Sequence, residues 1–264
     1  MSDATTPAKL LDLLQYDAKL VSQDLDTFRD IDEKLDDTGK SRAAAMVTSD
    51  KLRGWLVGDA FSSPLLVNGH CDLEAAEGPS SLSYVDAQLV KFFQQSHHQA
   101  LVITYFCSQH REVDHRSRGS PTATMMASLV CQLLAHTVDK GIEVELSFLT
   151  KTDLRNVERM KLDILCILFR EITFQLPPNT VLLCVLDELA MYETASLERE
   201  TDAIVRRLMR LVAKSETVFK LLITCRGRSL EFQKHFGAEH ILDLPVEIEV
   251  DDAAMWRITN IKMK

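Results

Sequence analysis

The sequence predicts a three-layer α/β fold with about five mainly parallel strands, preceded by an N-terminal helical segment. Short apolar runs rich in β-branched residues alternate with longer amphipathic patterns. Such runs are typical of central parallel strands covered by helices on both faces, and their alternation with helices is typical of the α/β class. The predicted strands are 65–69, 100–106, 181–186, 219–224 and 240–244, and the predicted helices between them are 82–94, 122–138, 157–176 and 197–214.

The helical segment comes first in the chain. From residue 9 to 35, apolar residues recur at steps of three and four between acids, which predicts an amphipathic helix or a pair of helices. Residues 36–39 are predicted to end this pattern, and 41–56 to form a second helix. Because its apolar stripe is wide, we expect this segment to dock onto the sheet domain rather than remain in water.

Two of the later helices carry clear start signals. Ser120 and Pro121 precede the predicted helix 122–138, and acidic residues occupy the first turns of 197–214. The resulting division of the chain is a helical segment 1–58, a sheet domain 59–250 and a tail 251–264.

Composition restricts the class of partner. The net charge is −9, which disfavours nucleic acids and anionic membranes, since both would be repelled. No apolar run approaches the roughly 18 residues of a membrane-spanning helix, and no secretory signal is predicted. Four of the six cysteines sit in apolar stretches, where reduced thiols behave as small hydrophobic groups. A protein partner and a cytoplasmic location are therefore expected.

A strand that ends in two acids is the most informative segment. Residues 181–186 are apolar and are followed by Asp187 and Glu188. Ligands of open α/β sheets bind at the carboxyl ends of strands. The pattern fits a Walker B motif, in which the first acid orders Mg²⁺ and the second polarises the attacking water. It also fits a strand whose terminal acids begin a loop and cap the next helix.

The next strand, 219–224, is followed by Cys225, Arg226, Gly227 and Arg228. A guanidinium at this edge of the sheet can contact a γ-phosphate through bidentate hydrogen bonds. An exposed arginine paired with a surface acid is the alternative.

The loop after the first strand departs from the phosphate-binding pattern G-x-x-x-x-G-K-[ST]. Gly69 and Gly78 are too far apart, and no Lys or Arg occurs between residues 54 and 90. Three acids occupy the loop instead, and each close charge pair would repel a polyphosphate by about 1 to 4 kcal/mol. Ser80, Ser81 and Ser83 can cap the following helix without any ligand.

Seven stretches follow one order: a leading helical segment, a Trp-Leu pair, a first strand with a degenerate loop, and an Asp-Glu strand end. They are 11–17, 55–56, 65–69, 105–110, 175–180, 185–188 and 219–225. In this order the sequence resembles the degenerate NACHT-like or STAND-like P-loop modules of fungal proteins. The resemblance implies a P-loop NTPase fold of the signalling class in receptor-like or regulatory proteins, and it does not imply catalysis.

We therefore expect a regulatory or scaffolding module, with a protein partner, without a cofactor and with nucleotide binding weak or lost. The alternative is a signalling ATPase that binds Mg·ATP through a non-standard loop. Asp187 would then hold Mg²⁺, Glu188 would activate water and Arg226 would contact the γ-phosphate. The predicted cofactor-binding residues are Gly69, Gly78, Ser80, Ser81 and Arg226.

Overall fold

The computed structural model describes residues 5–31, 34–57, 61–71, 80–96, 100–110 and 118–247. Within these residues the chain forms strands, α-helices and short 3₁₀ helices. The helices are α1 Pro7–Leu14, α2 Leu20–Thr27, α3 Asp37–Thr48, α4 Asp50–Val57, α5 Ser81–Ser96, α6 Pro121–Asp139, α7 Lys151–Glu158, α8 Leu162–Phe174 and α9 Glu198–Lys214. The strands are β1 Ser63–Asn68, β2 Leu101–Phe106, β3 Val181–Asp187, β4 Val218–Cys225 and β5 Ile241–Asp243.

The five strands form one sheet in the order β2-β3-β4-β1-β5, and every neighbouring pair is parallel. This confirms the predicted fold class and places a strand at each of the five predicted positions. Near the carboxyl ends, Val67 of β1 pairs with Thr224 of β4, and Phe106 of β2 pairs with Asp187 of β3. The residues that follow these strands therefore share one edge of the sheet.

Alternate strand residues enter two separate cores, as the pleat of a strand requires. Leu66 and Leu186 face the layer formed by α1, α6, α7, α8 and α9. Leu65 and Val185 face the opposite layer, to which α3, α4 and α5 contribute. The sheet is thus covered on both faces, which explains why its strands are apolar throughout.

The N-terminal helices contribute to both layers. Leu10 of α1 is fully buried in the same core as α6, whereas Leu25 of α2 and Phe28 lie in the core of α5. The ring of Phe28 packs against that of Phe106, with centroids 4.9 Å apart. The expected docking of this segment onto the sheet is confirmed. The boundary at 58/59 stays a prediction.

Three predicted helix limits were wrong. The pattern 157–176 spans α7 and α8, which are separated where Met160 adopts a left-handed backbone (φ 53°). The pattern 41–56 divides at Ser49 into α3 and α4. Asp36 caps α3 by accepting from Gly39 N at 2.7 Å, so residues 37–39 begin a helix instead of ending one.

The start predicted for 122–138 is confirmed. Ser120 Oγ accepts from Ala123 N at 3.2 Å, and Pro121 occupies the first turn. α6 has 19 residues and is the longest helix in the described part of the chain. Among the described helices, including this one, none combines the length and apolarity needed to cross a bilayer.

One residue of β4 breaks its apolar pattern. Lys220 is buried, and its Nζ donates to the Trp55 carbonyl and to Ser63 Oγ, each at 3.0 Å. The same ammonium lies 5.7 Å from the centroid of the Trp55 ring, within the range of a cation–π interaction. Strand β4 therefore accommodates a charge near its start because neighbouring elements supply acceptors.

Candidate functional site

The candidate site lies at the carboxyl ends of β1, β3 and β4, the edge at which ligands of open α/β sheets bind. The chain leaves β1 through α5 on one face of the sheet, and it leaves β3 through α9 on the other face. Crevices of open α/β sheets form where neighbouring connections separate to opposite faces. Asp187, Glu188, Gly69 and Arg226, which the sequence singles out, all lie at this edge.

Asp187 lies inside a cluster of hydroxyl groups and is fully buried. Ser83 Oγ of α5 lies 2.8 and 2.9 Å from its two carboxylate oxygens, between which its one proton is shared. Thr224 Oγ1 lies 3.1 Å from Oδ1, and Ser108 Oγ lies 3.5 Å from Oδ2. Burial raises the pKa of Asp187 well above its usual range, and the charges of Glu188 and Asp86 raise it further.

A second buried carboxyl group, Asp86 of α5, joins this cluster. Thr224 Oγ1 lies 2.6 Å from Asp86 Oδ2, so its one proton can be donated to Asp86 or to Asp187 but not to both. Burial raises the pKa of Asp86 to about 8, against the lowering effect of hydrogen bonds with Thr224 and Asp187. The two carboxyl groups therefore retain a proton at neutral pH.

Sequence reasoning missed Asp86, although a signal was available. Asp86 follows Ser83 by three residues and precedes Leu89 by three, so all three share one face of α5. That face is buried, since Ser83 and Asp86 are 0% exposed and Leu89 is 1% exposed. An acid on the buried face of a helix requires polar partners, which indicates a polar cluster beneath α5.

Glu188 and Arg226 form an ion pair at the same edge. Glu188 adopts a left-handed backbone (φ 51°) immediately after β3, and its amide donates to Thr224 Oγ1 at 3.3 Å. Its Oε1 lies 3.3 Å from Arg226 Nε, with only 5% of the Glu188 side chain exposed. The acid predicted to polarise a water and the arginine predicted to contact a γ-phosphate thus form an ion pair with each other.

The loop after β1 is joined to the loop after β4 by its backbone amides. Gly69 N donates to Cys225 O at 2.8 Å, His70 N to Gly227 O at 2.9 Å, and Cys71 N to Arg226 O at 3.0 Å. In a phosphate-binding loop such amides point at the anion. Here three consecutive amides already have carbonyl partners.

The same loop is held from the side of β5. His70 Nε2 and Asn68 Nδ2 lie 2.8 and 2.9 Å from Asp243 Oδ1. Burial alone would raise the pKa of Asp243, but hydrogen bonds from His70 and Asn68 hold it below its usual value. Residues 68–70 are therefore held between β4 and β5.

A basic residue does reach this loop, and sequence reasoning missed it. Arg42 of α3 is 5% exposed and donates to Gly69 O, to Pro245 O at 3.3 Å and to Val246 O at 3.2 Å. It is distant in sequence from the loop, so no motif window contains it. Its guanidinium joins the β1 loop to the segment after β5.

The remaining predicted residues lie at the start of α5. Ser80 Oγ accepts from Ser83 N at 3.4 Å, and Ser80 and Ser81 are each 6% exposed. Ser80 thus has the capping role that its position predicts. Gly78 and the acidic part of the loop lie outside the described residues. The nucleotide-binding roles of Gly69, Ser80, Ser81 and Arg226 stay predictions.

The groups of this site that could hold Mg·nucleotide are bonded to one another in the structure. Mg²⁺ at a nucleotide is held by one or two carboxylates together with a hydroxyl group, waters and phosphates, and here the Asp187 carboxylate and Ser83 Oγ bond each other. Within residues 5–247, apart from the gaps given above, no three His, Cys, Asp or Glu side chains are arranged to hold a metal. The amides of residues 69–71 are also engaged with carbonyl groups.

A family model described as "Nephrocystin 3, N-terminal" matches residues 43–226, more than half of the chain. The chain belongs to the nephrocystin 3 N-terminal family. The matched region begins within α3, includes β1 to β4 and ends at Arg226. It therefore contains Asp187 and Glu188, the hydroxyl cluster, and the paired loops as far as Arg226. A comparison with curated proteins finds no match.

Within the match to this nephrocystin family, the carboxylate of Glu193 organises the rest of the β4 loop, residues 229–232, which lies just beyond the match. Glu193 Oε1 accepts from Ser229 Oγ, Glu231 N and Phe232 N at 2.8 to 3.0 Å, and its Oε2 accepts from Leu230 N at 2.8 Å. Four donors on one carboxylate fix the loop that carries Arg226.

Replacing Glu193 with Gln is expected to destabilise the protein by about 1 to 2 kcal/mol, because an amide accepts through one oxygen and lacks the charge. Chemical denaturation measures the loss, and amide exchange at residues 230–232 should accelerate. The control is Glu216→Gln at an exposed position. Equal stability of the two variants would contradict the clamping role.

Proposed function

We propose that the chain is a regulatory or scaffolding module of the NACHT-like or STAND-like class, in which nucleotide binding is weak or lost. The observation that carries this proposal is the pairing of three amides, those of residues 69–71, with carbonyl groups of the β4 loop. A phosphate would have to displace these bonds before the loop could receive it. The fungal origin suggested by the sequence resemblance belongs to the same proposal.

The electrostatics of the site support this role. Asp86, Asp187 and Glu188 place three carboxyl groups behind the loop, and Arg226 is engaged with Glu188. An incoming triphosphate that recruited Arg226 would have to separate this ion pair, which would leave the Glu188 carboxylate unpaired beside the phosphates. Arg42, which reaches the β1 loop from α3, does not replace the missing lysine as a phosphate ligand, because it already donates to three carbonyl groups.

The proposed partner is another protein, and the proposed location is the cytoplasm. The charge of −9 supports a protein over a nucleic acid. All six cysteines are free thiols, which supports a reducing compartment.

A signalling ATPase is the second candidate, favoured by the convergence of Asp187, Glu188 and Arg226 on one edge of the sheet. Bound Mg·ATP would supply phosphoryl-transfer chemistry. For this candidate the bonds of residues 69–71 must open, and Arg226 must release Glu188.

Thermal unfolding with and without Mg·ATP distinguishes the two candidates. At a hundredfold excess over its dissociation constant, a ligand stabilises by about 2.7 kcal/mol, which raises the Tm of a chain this size by roughly 5 to 10 °C. We expect a shift below about 1 °C at millimolar Mg·ATP. A larger shift that disappears in Asp187→Asn and in Arg226→Gln, with both variants folded, would overturn the proposed loss of nucleotide binding and support the ATPase candidate, whose hydrolysis a phosphate-release assay then tests.

A further inference from the structure

A groove lies on the outer surface of the helical layer, between α8 and α9. Its volume is about 420 Å³, and one residue of α6 contributes to its wall. Phe169, Leu208 and Leu211 line it with buried side chains. None of the residues of the β1, β3 and β4 loops lines it.

Two large apolar side chains are exposed at this groove. Ile167 is 38% and Phe174 is 47% exposed, and both belong to α8. They are seven residues apart, about two helical turns or 10 Å along one face. Together with the buried residues beneath, they form an apolar strip of the length that a short helix covers.

The net charge of the residues that line the groove is positive, opposite in sign to the net charge of the whole chain. Four cations and one anion line it, although the net charge of the protein is −9. Arg170 and Arg207 are paired with Glu171 and Asp163, respectively. Arg210 and Lys214 are exposed on α9, one helical turn apart.

We propose that the α8–α9 groove binds an acidic amphipathic helix of a partner protein. Apolar residues at i, i+3, i+4 and i+7 would fill the strip beside Ile167 and Phe174, as in other helix-in-groove complexes. Acids flanking that stripe would pair with Arg210 and Lys214. This inference rests on the proposed role as a protein-binding module, and it names the chemistry of the partner.

The charge complementarity is tested with two labelled peptides of about 14 residues, identical in their leucine stripe but flanked by Glu or by Lys. Fluorescence anisotropy with the full chain is expected to show about tenfold or tighter binding of the Glu peptide. The double variant Arg210→Glu/Lys214→Glu should lose at least about tenfold in affinity. The control Arg199→Glu/Arg206→Glu changes the same charge at exposed positions of α9 that do not line the groove.

The apolar strip is tested separately with Phe174→Ser, which should weaken binding of the Glu peptide by about tenfold. Val138→Ser, at a 54% exposed position of α6 outside the groove, should have no effect. Equal binding of the two peptides, or no response to either groove variant, would overturn the proposal.

Evidence for a different occupant of the α8–α9 groove would also overturn the proposal. Displacement of the Glu peptide by laurate at equal concentration would assign the groove to an anionic lipid. Concentration-dependent self-association abolished by Arg210→Glu/Lys214→Glu would assign it to a second copy of the chain. A positive Mg·ATP shift would defeat the proposed loss of nucleotide binding without changing the peptide result, so the two proposals fail separately.

Discussion

Asp86→Asn is expected to raise the free energy of unfolding at pH 8 by on the order of 5 kcal/mol. The pKa of Asp86 is raised by burial from 3.8 to about 8. In the unfolded chain the group ionises near pH 4, whereas in the folded chain it keeps its proton up to about pH 8. The folded state therefore binds more protons across this interval, and wild-type stability falls as pH rises from about 4 to 8. Asparagine does not ionise, so this loss disappears.

The geometry favours asparagine at this position. Its side chain has nearly the same shape, its oxygen can accept from Thr224 in place of Oδ2, and its amide can donate to Asp187. The charge of Asp86 is one of the causes that raise the pKa of Asp187, and the asparagine removes it.

The measurement is chemical denaturation between pH 5 and 9. Between pH 5 and 8 the wild type should lose stability relative to Asp86→Asn, and the difference between the two should narrow toward pH 5. Asp12→Asn removes the same charge at an exposed site and should leave the pH dependence of the wild type intact. Lower stability of Asp86→Asn at pH 8 would mean that Asp86 is ionised and stabilising.

Gly69→Ala is expected to cost about 2 to 4 kcal/mol, equivalent to a decrease in Tm of roughly 5 to 15 °C. A Cβ at Gly69 would lie 2.5 Å from Arg226 O and 3.1 Å from Cys225 O. Both atoms are backbone, so relief requires the β1 and β4 loops to separate. Separation would break the bonds of Gly69 N and Cys71 N.

Gly54→Ala is the matched control. Nothing lies within 4 Å of a Cβ at this exposed position of α4, so alanine should stabilise the helix by up to about 1 kcal/mol. Differential scanning calorimetry compares the two variants. A Gly69→Ala protein as stable as the wild type would show that the two loops are not closely paired.

The fold could be predicted from the sequence because its evidence is local. The runs 100–106, 181–186 and 219–224 are apolar on both faces, and only a sheet covered on both sides buries such runs. The errors also have local causes. Met160 ends a helix with a left-handed residue, although methionine is a good helix former, and Asp36 begins a helix where the acid run suggested an end.

The candidate site could be predicted only in part. Asp187, Glu188 and Arg226 lie at or just after the carboxyl end of a strand in a parallel sheet, so strand assignment alone predicts that they meet. Asp86 and Arg42 lie on helices, and their side chains reach the site only through the packing of α5 and α3 against the sheet.

By itself, the sequence determined the parallel α/β class, the sheet edge that carries the acids and the absence of lysine from the loop after β1. These properties depend on composition and on the order of residues along the chain. The tertiary structure alone decided how the polar groups are paired: Asp187 with hydroxyl groups, Glu188 with Arg226, and the amides of 69–71 with carbonyl groups of the β4 loop. Hydrogen bonds act over about 3 Å, and the packing of distant segments sets which groups approach that closely.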